Sequence, residues 1–102
     1  MSLTQKIQAL VSGIDDPRMR MDVASTITFL ADLYGNGRIS REDLARDLYD
    51  ICVDVLRASN PELLDEEIAE RARILADELL QAIRLSRLAQ RTIYRYSRLS
   101  FP

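Results

Sequence analysis

Histidine and tryptophan are absent from these 102 residues, and cysteine occurs once. Without His, the commonest general base and the commonest transition-metal ligand are both missing. A lone Cys52 excludes a disulfide within the chain. Its neighbours Ile51 and Val53 are apolar, so the expectation is a small buried hydrophobe rather than a nucleophile. Three glycines and three prolines are too few for a turn-rich all-β protein. Lysine is nearly missing too: of fourteen basic residues only Lys6 is not Arg. No segment has the length and apolarity of a membrane span. The opening M-S-L-T-Q-K lacks the apolar run of a signal peptide, so the expected location is cytoplasmic.

The same absences argue against catalysis. There is no Gly-rich phosphate loop, no Ser/His or Cys/His pair and no Cys/His metal spacing. Carboxylates such as Asp47, Asp50 and Asp54 fall at positions expected to face solvent, where they carry no acid–base role. The expectation is a protein that is not an enzyme.

What is present is helical periodicity. Apolar residues make up 47% of the chain, enough to expect one packed domain over 1–102 rather than disorder. Leu3, Ile7, Leu10, Val11 and Ile14 form a stripe over a first helix at 3–13, opened by the capping-box pair Ser2 and Gln5 and stopped by Gly13. Asp16-Pro17 opens a second helix, which carries Met19, Val23, Ile27, Leu30 and Tyr34 on one face and ends at Gly35. A third begins after Ser40 and buries Leu44, Leu48, Ile51, Cys52, Val55 and Leu56. Ser59-Asn60-Pro61 breaks it.

From Pro61 nothing stops a helix until about Ser97, apart from a short first turn before Asp65. Ile68, Ala72, Leu75, Leu79, Ala82, Ser86, Ala89 and Ile93 share one face of it. A helix of thirty-odd residues spans about 50 Å, against about 27 Å for the second and third. The spacing therefore predicts an all-α, four-helix bundle-like domain: three shorter helices packed on a long C-terminal one, with a basic overhang at about 83–98.

The stretch D-L-Y-G-N-G-R-I-S-R-E-D, residues 32–43, resembles the EF-hand calcium loop over twelve residues. The resemblance places Asp32 at the first ligand position, Asn36 at the fifth, Gly37 at the sharp turn, the Arg38 carbonyl at the seventh, Ile39 at the aliphatic eighth, Ser40 at the ninth and Asp43 at the twelfth. It implies calcium as a ligand. Two departures stand against it. Tyr34 falls where an oxygen ligand belongs, and Asp43 replaces the long bidentate Glu. The same letters also read as an ordinary inter-helix turn, with Asn36-Gly37 closing one helix and Ser40 capping the next.

Charge is segregated along the chain. Residues 1–82 hold nine bases and sixteen acids, whereas residues 83–102 hold five arginines and no acid. Arg84, Arg87, Arg91, Arg95 and Arg98 fall within a sector of about 80° on a helix and are expected opposite the core stripe. Tyr94, Tyr96 and Phe101 lie close by. Such a ridge suits nucleic-acid phosphate or an acidic protein partner, and less favourably an anionic membrane surface. It also suits the plain dipole rule, with acids at the start of the helix and bases at its end. Ile74, Leu85, Leu88 and Leu99 fall off the core stripe and mark a protein interface, unless the first helix covers them. The acidic first half and basic second half of the long helix are complementary in antiparallel pairing with a second copy. The expected role is a helical interaction or adaptor module, self-associating through its last helix. The alternatives are nucleic-acid binding through the arginine ridge and a calcium-responsive helix pair at 32–43.

Overall fold

The computed structural model describes the backbone of residues 2–100 and the side chains of residues 2–87. Among the described residues the chain is entirely helix and turn: α1 Leu3–Val11, α2 Pro17–Gly35, α3 Arg41–Ser59 and α4 Asp65–Ser100.

Local chemistry sets most of the helix starts. Ser2 Oγ accepts from the Gln5 backbone N–H while the Gln5 side chain accepts from the Ser2 N–H, a complete capping box. Asp16 accepts from Arg18 N–H, and Pro17 occupies the first helical position, where no N–H is needed. Ser40 Oγ accepts from Asp43 N–H at 3.0 Å, and Glu42 and Asp43 sit in the positive first turn of α3. At α4 the Glu67 carboxylate reaches back to Leu64 N–H, half of a capping box.

The helix ends show where pattern reading misplaces a boundary. α1 stops at Val11, with Ser12 as its cap, so Gly13 belongs to the following turn. α2 ends at Gly35 as expected, and the left-handed residue of the turn is Gly37 at φ +72°. Arg38 N–H donates to Leu33 C=O at 2.8 Å and Gly37 N–H to Tyr34 C=O at 3.1 Å. That pair of bonds is a Schellman closure with Asn36 as the cap. Pro61–Leu64 forms the turn expected before Asp65, whereas α4 continues to Ser100 instead of stopping near Ser97.

The core forms where α3 lies against α4. Leu44, Leu48 and Cys52 are wholly removed from water, together with Ile27 of α2 and Ala72 of α4. α1 also packs on α4, while α2 bridges α1 and α3. Because two helices press on it, α4 buries a wider arc than one stripe. Ala76, Leu80 and Ile83 join Ile68, Ala72, Leu79 and Ala82 in the core, an arc of about 160° at 100° per residue. The expected member Leu75 is half-buried at the edge, as is Ser86. Ala89 and Ile93 lie outside the described side chains.

Leu48→Ala empties space at the centre of the α3–α4 contact and is expected to cost about 2–5 kcal/mol in a denaturant titration. Two glycine variants separate the helix end from the helix body. Gly37→Ala is expected to cost about 1 kcal/mol for its positive φ. Gly35→Ala, inside the helix with open space around it, is expected to stabilise by up to about 1 kcal/mol.

Candidate interaction face on the C-terminal helix

Eleven positions at 100° per residue bring Leu85 within about 20° of Ile74. Both lie about 150° from the middle of the buried arc of α4. Ile74 is 53% exposed and Leu85 66% exposed, so the core reaches neither. The start of α1 runs beside this face: Ser2, Leu3 and Thr4 share a shallow depression with Ala82, Leu85 and Ser86. It flanks Leu85 without covering it. Leu88 and Leu99, the other two expected interface residues, lie outside the described side chains. Asp77 and Arg84 are exposed on one flank of the stripe, with Glu66 and Glu70 a few turns earlier. Among the described residues, no helix is long and apolar enough to cross a membrane.

Two side chains of the expected arginine ridge, Arg84 and Arg87, lie among the described residues. Arg84 is exposed, but Arg87 turns towards α2. Its Nη1 donates to the Tyr34 carbonyl at 2.9 Å, and its guanidinium lies 5.5 Å from the centre of the Tyr34 ring. The contact has a clear cause. Tyr34 is in the last turn of α2, the negative end of its dipole, and its carbonyl accepts from the guanidinium as well as from Gly37 N–H while the guanidinium stacks on the ring. Arg87 sits at the edge of the buried arc rather than opposite it. The side chains of Arg91, Arg95 and Arg98 lie outside the described residues.

Backbone bonds hold the 32–43 turn, and two of the expected ligand groups, Ser40 Oγ and Asp43 Oδ1, have partners within the chain. Asp32 C=O accepts from Asn36 N–H, Asn36 caps α2, and Arg38 N–H closes the Schellman turn. Ser40 Oγ caps α3, and Asp43 Oδ1 accepts from Arg46 at 2.9 Å. Ile39 packs half-buried against the core. Among the described residues, no three His, Cys, Asp or Glu side chains gather as a metal-binding group.

Cys52 has no exposed surface, and burial pushes its thiol up to about 11. The thiolate is therefore disfavoured at neutral pH, which removes it as a nucleophile. Leu64 before α4, at 66% exposure, escaped the sequence reading, and so did Met21 and Phe29 of α2, at 71% and 60%. Their eight-residue spacing was hidden by the stronger Val23, Ile27, Leu30 pattern on the same helix.

No protein-family model matches the chain, and comparison with curated proteins and with solved structures returns no similar protein.

Arg87→Gln is expected to lower stability by about 1–2 kcal/mol, because it removes a charged hydrogen bond to a helix end. Arg84→Gln is expected to stay within about 0.5 kcal/mol of the parent, as an exposed substitution should. Paired thermal melts compare the two. Cys52 is expected to react with a disulfide reagent at pH 8 far more slowly in the native protein than in denaturant, read by absorbance of the released thiolate.

Proposed function

We propose that this chain is a non-enzymatic helical interaction module that pairs with a second copy of itself through the outer face of α4. The observation that carries the reading is the alignment of Ile74 and Leu85, both exposed and both on the side of α4 away from the core. On this reading the domain is bundle-like. Three shorter helices shield one side of a long C-terminal helix, and the other side is left for a partner.

Charge favours a particular arrangement. A two-fold axis near residues 79–80 would set Ile74 of each copy against Leu85 of the other, the self-complementary contact of an isologous dimer. The helices would then run antiparallel. The acidic start of α4, with Glu66 and Glu70, would lie along the arginine-rich end of the second copy. Asp77 would come beside Arg84 of that copy, on the flank where the two helices meet. Parallel pairing would instead align acid with acid and base with base, which is repulsive. Apolar contact supplies the association and the charge pattern supplies the direction.

The expected solution mass is twice the 11.7 kDa of one chain, measured by sedimentation equilibrium. Leu85→Glu and Ile74→Glu should each return it to the single-chain value. Asp77→Arg and Arg84→Asp should each weaken pairing, and the two together should restore it. A single-chain mass at every concentration would end this reading. Should that monomer bind a labelled oligonucleotide with an affinity that falls with salt and with Arg84→Glu, the nucleic-acid alternative would replace it.

A further inference from the structure

A cavity of about 460 Å³ opens between α1, the end of α3 and the middle of α4. That volume falls in the range of small-molecule sites. Leu56, Leu75 and Leu79 make its walls apolar. Lys6 and Glu78 also line it and are joined by an ion pair at 3.3 Å. The pair balances its own charge, so the cavity offers no net charge to a ligand.

One polar group in this lining is unpaired. Ser59 Oγ is buried and has no hydrogen-bond partner among the described residues. Hydroxyls on helices commonly bond the carbonyl of the preceding turn. Thr26 and Thr28 do so to Asp22 and Ala24, and Ser12 donates to Ala9 C=O. Ser59 makes no such bond, so nothing holds its rotamer. Ser59 is part of the cavity lining, and a turn about Cα–Cβ towards a ligand would break no hydrogen bond. Gly13, another lining residue, lies close by: a Cβ there would stand 3.3 Å from Ser59 Oγ and crowd it.

We infer that this cavity binds a small neutral amphiphile, with an apolar body against the leucines and one hydroxyl paired with Ser59. A charged head group is disfavoured on both signs. An anion would have to displace Glu78 from Lys6, and a cation would have to displace Lys6 from Glu78. A purely apolar molecule would fill the space but leave Ser59 unpaired. The cavity lining includes neither Ile74 nor Leu85, so ligand binding and self-association stand or fall separately.

Amide chemical shifts of the full chain, followed during titration with 4-ethylphenol, ethylbenzene and 4-ethylbenzoate, test the assignment. 4-Ethylphenol is expected to shift the amides of Gly13, Ser59 and Leu75, and ethylbenzene to bind there roughly three- to tenfold more weakly. 4-Ethylbenzoate is expected to bind more weakly than either. In Ser59→Ala the advantage of the phenol over ethylbenzene should vanish. Ala9→Phe, an exposed position at the cavity, should block both ligands while the thermal melt stays cooperative. The inference is overturned by the absence of shifts at those three amides with millimolar 4-ethylphenol. It is equally overturned if the phenol keeps its advantage in Ser59→Ala.

Discussion

The removal of one broad apolar arc of α4 from water governs the rest of this structure. Leu44, Leu48, Cys52 and Val55 of α3 are at most 1% exposed and lie in the core with Ala72, Ala76, Leu79 and Ile83 of α4. Alanines on α4 let α3 approach closely, and leucines on α3 fill the space between them. A single apolar stripe on each helix would satisfy one neighbour. α4 has two, and the wider arc explains why Leu80 and Ala82, on opposite edges of it, are both buried. α1 is only nine residues long and too short to be stable alone, so it depends on this surface for its order.

Once that arc is fixed, the charged side chains fall into place around it. Arg87 stands at the arc's edge, close enough to the end of α2 to bond the Tyr34 carbonyl. Lys6 of α1 reaches Glu78 across the neighbouring edge. Arg57 lies 3.9 Å from Asp65 where α3 turns into α4, an exposed pair that contributes little by itself. These contacts orient helices that the core has already brought together. Among the described residues, the opposite side of α4 leaves Ile74 and Leu85 exposed. A soluble surface tolerates isolated apolar side chains. Two of them in line, flanked by Asp77 and Arg84, are the feature on which the proposed pairing rests.

The helices were largely legible from sequence because capping is local. Ser2 with Gln5, Asp16 with Arg18 and Ser40 with Asp43 are bonds across two or three residues, so a reader needs only neighbouring letters. The stripes on α1 and α3 were legible for the same reason: one face of each is buried, and helical period alone identifies it. The turn at 32–43 was legible only as two alternatives. Gly37 takes the left-handed conformation there and Ser40 caps, roles that a calcium loop and a plain helix–helix turn both need.

The sequence by itself determined that the chain is helical, where most of its helices begin, and that charge separates along the last of them. Tertiary structure alone decided which side chains of α4 remain available. Arg84 and Arg87 are three letters apart and indistinguishable by composition, yet one is exposed and the other is bound to a carbonyl 53 positions earlier. It decided likewise that Ser59 lost its partner and that Leu85 was flanked but not covered. Local bonds are fixed by the few residues that make them. Burial and long-range pairing depend on how four helices share one core, which no short stretch of sequence contains.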